Sequence, residues 1–177
     1  MPDYTRGGGE ALGFAVEANY NDGIQSGDAL NWVTPISNTL DTVPDVTAIN
    51  DMGDDASGLA SRKFSASLYV QGEIEFVCSF DQFGMLHRAL WGSVSTAADT
   101  PSSGLHTHTY TFVLNNPASL ALVEQRQDTA GAKKERKSKG VQIASGSYTV
   151  DARGFVSVTL SLFGNLDSDW GSAAETA

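Results

Sequence analysis

The sequence predicts a mainly β protein, an antiparallel β-sandwich or open barrel with one short packed helix and long assembly loops. Apolar and polar residues alternate with a period of two through much of residues 64–166, which is typical of strands with one buried face. One segment, residues 81–91, changes to helical spacing, and turn residues separate the alternating runs. The chain has 177 residues, which is enough for one domain with a single sizeable core.

The first long alternating segment reads FSASLYVQGEIEFVCSF. Apolar residues alternate on both sides of Gly72, so we expect two strands joined there by a turn or a bulge. In the second of these strands, Glu73 and Glu75 fall on the face opposite Ile74 and Phe76. These two acids are therefore expected to face away from the core.

The segment DQFGMLHRALW predicts the helix. Its apolar residues, including Phe83 and Leu90, recur every three or four positions, as on one face of a short amphipathic helix. Ser79 or Asp81 can cap its start, and Gly92 follows its end. We expect this helix to pack on the sheet through its apolar face.

The remaining strands follow in the second half of the chain. After a small-residue loop, VSTAADTPSSG, strands are expected in LHTHTYTFVL, SLALVEQRQ, GVQIASGSYTV and GFVSVTLSLF, the last two joined by a turn at 151–154. Between them, residues 128–139 (DTAGAKKERKSK) lack an apolar face and are expected to form an exposed loop.

The two ends of the chain are less regular. Residues 1–60 are expected to contain a flexible Gly-Gly-Gly arm, short strands in ALGFAVE and ALNWVTPI, an Asn-Asp-Gly turn, and a long acidic loop over 37–60. Residues 61–166 form the expected core. Residues 167–177 are polar apart from Trp170, which predicts a flexible tail.

Charge is distributed unevenly along the chain. The net charge is −10, from 11 Lys and Arg against 21 Asp and Glu, and such a chain repels a polyanion at long range. The acidic loop and the basic segment 126–139 are two complementary surfaces through which copies could meet. The acidic candidates for self-assembly are Asp41, Asp45, Asp51, Asp54 and Asp55. The basic candidates are Arg126, Lys133, Lys134, Arg136, Lys137 and Lys139.

No motif in the sequence predicts catalysis. His106 and His108 share one face of a strand and His87 could add a third nitrogen, but no acid follows before Glu124, so we expect no metal site. Cys78 has no partner for a disulfide and alternates with apolar residues, as a small core residue does. We expect a protein that is not an enzyme and has no catalytic residue or cofactor. No run of about 18 apolar residues predicts a membrane span.

The order of these segments is more specific than any one of them. An alternating pair around Gly72 leads into EFVCSFDQFGMLHRALWG, followed by LHTHTYTFVLNNPASLALVEQ and a final strand GFVSVTLSLFG. Over about residues 60–166, this order resembles the major tail tube proteins of long-tailed, siphovirus-like bacteriophages.

The resemblance implies a structural protein of the virion tail that is synthesised in the bacterial host cytoplasm. It implies subunits that form rings, with a homohexamer suggested by one domain per chain, and rings that stack head to tail into a conduit for genome ejection. Tail terminator and tail-tip proteins are the other implied partners, and DNA passes through the lumen without specific binding. Because like charge keeps a wall from holding DNA, Glu73 and Glu75 are the candidates for facing the lumen.

Other functions stay open at this point. A virion decoration protein, or an adhesin-like or carbohydrate-binding β-sandwich, would have the same strand pattern but would remain monomeric or form a closed oligomer. A metal-dependent barrel enzyme would use the three histidines. The inner tube of a contractile or secretion apparatus is a near relative that the sequence does not distinguish from a flexible tail.

Overall fold

The computed structural model describes residues 10–25, 27–49, 62–98, 106–113, 118–128, 130–150, 152 and 154–172. Within these ranges, the strands are β1 (Ala11–Val16), β2 (Asn31–Val33), β3 (Pro35–Asn38), β4 (Asp41–Ile49), β5 (Arg62–Val77), β6 (Gly92–Ala98), β7 (His106–Phe112), β8 (Leu120–Gln127), β9 (Lys133–Val150) and β10 (Val156–Ser172). One helix, α1 (Phe80–Trp91), lies between β5 and β6.

Eight of these strands form one antiparallel sheet that curves into a half-barrel. The order across the sheet is β2-β1-β8-β9-β10-β5-β3, and β4 pairs with the remaining length of β5. The other two strands, β6 and β7, form a separate two-stranded ribbon. The prediction of a mainly β, antiparallel, open-barrel fold with one short helix is therefore confirmed.

The core lies between α1 and one face of this sheet. The alternation seen in the sequence places the apolar positions of the central strands on that face, where burial removes them from water. The largest buried apolar side chains are Leu12, Phe14, Val70, Ile74, Phe76, Leu86, Leu120, Leu122 and Val141. Helix α1 contributes Leu86 and Ala89 to this core.

The helix prediction is confirmed. Ser79 precedes α1 in an extended conformation, and its backbone N–H donates to Oε1 of Gln82 at 3.0 Å. Gly92 ends the helix with a φ of 99°, a conformation that favours glycine. Phe83 packs on the sheet as expected, with its ring centroid 5.2 Å from that of Tyr148 in β9, but it remains partly exposed.

The prediction of a turn or bulge at Gly72 is wrong, because β5 runs through this residue as one continuous strand. Val70 and Ile74 are both buried, so the alternation keeps its phase across Gly72. The glycine is needed because the chain between β3 and β4 passes close by: a Cβ at position 72 would lie 2.5 Å from the carbonyl oxygen of Thr39. At this point, β5 changes partner from β4 to β3.

Four segments expected to be loops or tail are strands over part of their length. Strand β9 begins at Lys133, so the loop prediction for 128–139 is wrong over 133–139. Strand β6 covers residues 94–98 of the expected small-residue loop, and residues 99–104 lie outside the described ranges. Strand β10 continues to Ser172, so the flexible tail expected from residue 167 is wrong over 167–172. The expected acidic loop is β4 over 41–49, and residues 50–60 lie outside the described ranges.

The N-terminal region agrees with the sequence where it is described. Strands β1 and β2 fall in ALGFAVE and ALNWVTPI, and β3 begins in the second segment and continues to Asn38, into the expected loop. Positive φ angles at Asn21 (68°) and Gly23 (70°) mark the expected turn. The Gly-Gly-Gly arm lies outside the described residues. In the described part of the chain, no helix has the length and apolar character to cross a membrane.

Candidate functional site

The face of the sheet opposite the core is polar along β5, β10 and β9. Glu73 is exposed and Glu75 half-buried on this face, while their neighbours Ile74 and Phe76 are buried on the other. Strand pairing sets hydroxyl side chains beside the two acids. Two rows cross the three strands: Glu75, Thr159 and Ser147 in one, and Glu73, Ser161 and Ser145 in the other.

This polar face is free of basic residues over its centre. The strand segments 69–77, 142–150 and 157–165 contain no Lys or Arg. Asp41 of β4 lies opposite Gln71 and adds an exposed acid at the edge of the same face. Such a surface repels a polyanion and offers it no cation to bind.

The basic segment does not form the exposed charged surface that the sequence predicted. Arg136 is only 3% exposed, and its Nε donates to Oε2 of Glu124 at 2.6 Å. Its terminal nitrogens contact Oγ1 of Thr42 at 3.0 Å and the carbonyl oxygen of Leu40 at 3.1 Å. Buried and fully engaged, Arg136 is not available as a surface contact between copies.

Arg126 extends this network toward the surface, in a partly exposed position that no local sequence pattern indicates. Its Nε donates to Oε1 of Glu10 at 3.0 Å, and a terminal nitrogen lies 3.6 Å from Oε1 of Glu124. The ring of Trp170 covers the guanidinium groups of Arg126 and Arg136, at 4.9 and 5.2 Å from its centroid. Trp170, which was expected in a flexible tail, is thus part of β10 and packs against two arginines.

The other basic candidates divide into paired and exposed residues. Lys137 pairs with Glu135 at 3.4 Å, and Lys139 with Asp167 at 2.8 Å. The hydrogen bond to Asp167, reinforced by its charge, raises the pKa of Lys139. Lys133 is exposed and Lys134 half-buried. Of the acidic candidates other than Asp41, the side chain of Asp45 and the residues Asp51, Asp54 and Asp55 lie outside what the structure describes.

A second structural carboxylate, Glu17, also went unrecognised in the sequence. It is buried and accepts backbone N–H bonds from Asn21 at 3.0 Å, Gly23 at 2.8 Å and Gly140 at 2.9 Å, and a hydroxyl bond from Ser119. One side chain therefore joins the turn after β1 to strand β9. The only local signal is an acid between an apolar strand and an Asn-Asp-Gly turn.

Two of the three histidines, His87 and His108, contact different partners. The Nδ1 of His87 lies 2.9 Å from the carbonyl oxygen of Phe83, and its ring stacks on Tyr148 at 5.7 Å. The Nδ1 of His108 lies 2.8 Å from Oγ1 of Thr96. Across the described ranges, no three His, Cys, Asp or Glu side chains are grouped to hold a metal ion. Cys78 is half-buried, and this burial raises the pKa of its thiol.

Two clefts flank α1. The larger, of about 730 Å³, lies between α1, β2 and the β6–β7 ribbon. Both polar and apolar residues line it, and Asn31, Arg88 and His108 are among them. The smaller, of about 410 Å³, is called the apolar groove below. It is lined by Cys78, Ser79, Phe83, Tyr148, Val150 and Val156.

No family model matches the chain, and no curated protein matches it in sequence. Among solved structures, the chain is similar to one in the cryo-EM structure of the anti-feeding prophage (AFP) baseplate, with a TM-score of 0.49 and 12% identity, covering 99% of this chain and 100% of that one. It is also similar to the SPP1 tail tube solved by solid-state NMR and cryo-EM, with a TM-score of 0.45 and 10% identity, covering 93% of this chain and 78% of that one. At these values, the similarities do not establish a family.

Proposed function

We propose that this chain is the ring-forming structural subunit of a bacteriophage tail tube, the conduit through which the genome is ejected. The observation that carries the proposal is the two-sided open sheet. One side is buried under α1, and the other presents Glu73, Glu75 and rows of hydroxyl groups without a single Lys or Arg over its centre. A wall of this kind lets DNA pass without specific binding.

The open edges of the sheet support assembly from many copies. Among the described strands, β2 lies at one edge, and β3 and β4 lie at the other, and none of these strands has a further described strand on its outer side. Proteins normally cover such edges, because exposed ones pair with other chains. In a ring of copies with the polar face inward, the neighbours cover these edges and the lumen is acidic.

The order of sequence segments from residue 60 to 166 supports the assignment to a tail tube, with six copies per ring and rings stacked head to tail. Tail terminator and tail-tip proteins are then the partners at the two ends, and the virion tail is the location. Between rings, we propose Lys133 and Lys134 as the basic contacts, facing the acidic residues of β4 and of the segment that follows it.

The direct test is the state of the purified chain. We expect light scattering to report particles of six times the 18.7 kDa chain mass and negative-stain images to show rings or tubes. A chain that stays monomeric at every concentration and salt condition contradicts the proposal and favours a decoration or carbohydrate-binding module.

The wall charge has its own test. Tubes of the Glu73→Lys/Glu75→Lys variant should retain short duplex DNA in fluorescence anisotropy at low salt, whereas wild-type tubes should not. The matched control is Asp22→Lys/Asp28→Lys, which changes net charge equally in the β1–β2 connection. Equal DNA retention by the two variants would show that the polar face does not line the lumen.

A further inference from the structure

We infer that the Asp22–Gly23 bond is the chain's site of isoaspartate formation, and that the buried carboxylate of Glu17 suppresses this reaction in the folded protein. The proposed function makes no use of the turn that contains this bond. Across all 177 residues, Asp22–Gly23 is the only Asp-Gly pair, and no Asn-Gly pair occurs. The inference concerns a single copy and does not depend on assembly.

Isoaspartate formation changes the path of the main chain without changing its mass. The backbone nitrogen of Gly23 bonds to Cγ of Asp22, and its proton leaves with the carboxyl hydroxyl group as water, which gives a five-membered succinimide. Water then adds to the main-chain carbonyl carbon of Asp22 and breaks the bond from that carbon to the nitrogen. The chain now runs through Cβ and Cγ of residue 22. Glycine favours the attack because it has no Cβ and its backbone rotates freely.

The attacking nitrogen is held by Glu17. The N–H of Gly23 donates to Oε1 of Glu17 at 2.8 Å, and the same oxygen accepts the N–H of Gly140 at 2.9 Å. Glu17 is only 7% exposed, so water does not readily replace a hydrogen bond that is lost there. Because the reaction consumes the Gly23 proton, it must break this bond and leave the buried carboxylate with one donor fewer.

The turn is also fixed to two strands of the sheet. Oε2 of Glu17 accepts the N–H of Asn21 at 3.0 Å, and Nδ2 of Asn165 in β10 donates to Oδ1 of Asn21 at 2.9 Å. That oxygen also lies against Gly140 of β9, where a Cβ would come within 3.1 Å of it. A turn that is anchored on both strands opens rarely, and the attack requires an open turn.

The carboxyl group under attack is exposed, so protection does not come from exclusion of water. Asp22 is open to solvent, which leaves protonation of its carboxyl group and hydrolysis of the succinimide unhindered. Its Oδ2 accepts a bond from Nδ2 of Asn19 at 2.8 Å, and its carbonyl oxygen accepts one from Nε2 of Gln25 at 2.7 Å. Both bonds are exposed and compete with water. The buried bond from Gly23 to Glu17 is therefore the main restraint.

The first experiment needs no variant. The full chain is incubated at neutral pH, folded or unfolded in urea, beside a synthetic peptide of residues 17–27, and is then digested with chymotrypsin. Electron-transfer dissociation mass spectrometry measures the isoaspartate fraction at residue 22, because the two isomers give different backbone fragments. We expect formation in the folded chain to be at least about tenfold slower than in the unfolded chain and the peptide. Equal rates in all three overturn the inference.

The second experiment assigns the protection to Glu17. Glu17→Ala removes both acceptor oxygens and should raise the rate of isoaspartate formation in the folded chain by at least about fivefold. Glu17→Gln keeps one acceptor oxygen and should give a rate between those of Glu17→Ala and wild type. The matched control is Arg136→Met, which breaks the buried bond to Glu124 outside the turn and should keep the wild-type rate. Where circular dichroism shows Glu17→Ala to be unfolded, the comparison of Glu17→Gln with this control decides.

The remaining outcomes are equally definite. A rate in the folded Glu17 variants at or below the wild-type rate overturns the inference, since the carboxylate would then be inert or would act as a base that removes the Gly23 proton. An equal rise in Arg136→Met also overturns it, because a general loss of stability would then explain the reaction. A rise confined to the Glu17 variants supports it. The tail-tube proposal is decided separately, by whether the wild-type chain assembles.

Discussion

Replacing Arg136 should destabilise the fold rather than weaken contacts between copies. The sequence alone groups Arg136 with the exposed lysines of the basic segment, but its side chain is 3% exposed and bonded to Glu124, Thr42 and Leu40. Arg136→Met keeps most of the side-chain volume and removes the charge. The Glu124 carboxylate then stays buried without its main partner.

The magnitude follows from the partners that remain. Breaking a buried ion pair by removing one member typically costs about 3–5 kcal/mol. Glu124 keeps a hydrogen bond from Nδ2 of Asn38 at 2.9 Å and a contact with Arg126 at 3.6 Å, so the lower end of that range applies. A loss of about 3 kcal/mol in the free energy of unfolding lowers Tm by roughly 6–12 °C in a chain of this size.

Urea denaturation and thermal unfolding at low protein concentration measure this effect without a contribution from assembly. The matched control is Lys133→Met, which removes an exposed charge at the start of the same strand and should change stability by less than about 0.5 kcal/mol. Adding Glu124→Gln to Arg136→Met should recover part of the loss, since no unpaired charge then stays buried. Equal stability of Arg136→Met and Lys133→Met would refute the buried-network account.

Three further changes have expected outcomes. Glu17→Ala leaves the N–H groups of Gly23 and Gly140 without their acceptor and should lower the unfolding free energy by about 3 kcal/mol in urea denaturation. Glu17→Gln keeps one acceptor oxygen and should cost less. Equal losses in the two variants would contradict the role of the Glu17 carboxylate as the acceptor. Burial raises the pKa of Tyr148 above its ordinary value of 10.0. The neutral side chain therefore contributes its stability below pH 10, and this contribution is lost as the pH rises through the raised value. The difference in unfolding free energy between wild type and Tyr148→Phe should change over that alkaline range and stay constant from pH 7 to 9. Gly72→Ala puts a Cβ against the backbone of Thr39 and should cost about 2 kcal/mol. Gly171→Ala should be near neutral, because a Cβ there makes an ordinary contact, 3.8 Å from the carbonyl oxygen of Asp169.

Local periodicity was enough to predict most strands and the helix, because alternation and helical spacing are properties of neighbouring residues. Where a strand depends on partners that are distant in the sequence, local periodicity gave the wrong prediction. The start of β9 is charged, and it forms a strand because Arg136 and Lys139 meet Glu124 and Asp167 on adjacent strands. At Gly72, a local pattern suggested a turn, and the deciding contact came from Thr39, over thirty residues away.

The candidate surfaces divide in the same way. The side of the sheet that carries Glu73 and Glu75 followed from the parity of one strand, which the sequence displays directly. The exposure of Trp91 and Phe112 and the position of the apolar groove could not be predicted in this way, since aromatic residues in alternating or helical patterns are normally interpreted as core. Only the packing of β7 beside the end of α1 leaves Trp91 and Phe112 exposed.

The most direct test of the central claim is a cryo-EM map of the particles formed by the purified chain, with the position of the Glu73 and Glu75 face read from the fitted sheet. The account predicts a hollow tube of stacked rings in which this face lines the bore. A tube with the face on its outer surface, or a chain that forms no tube, would contradict it.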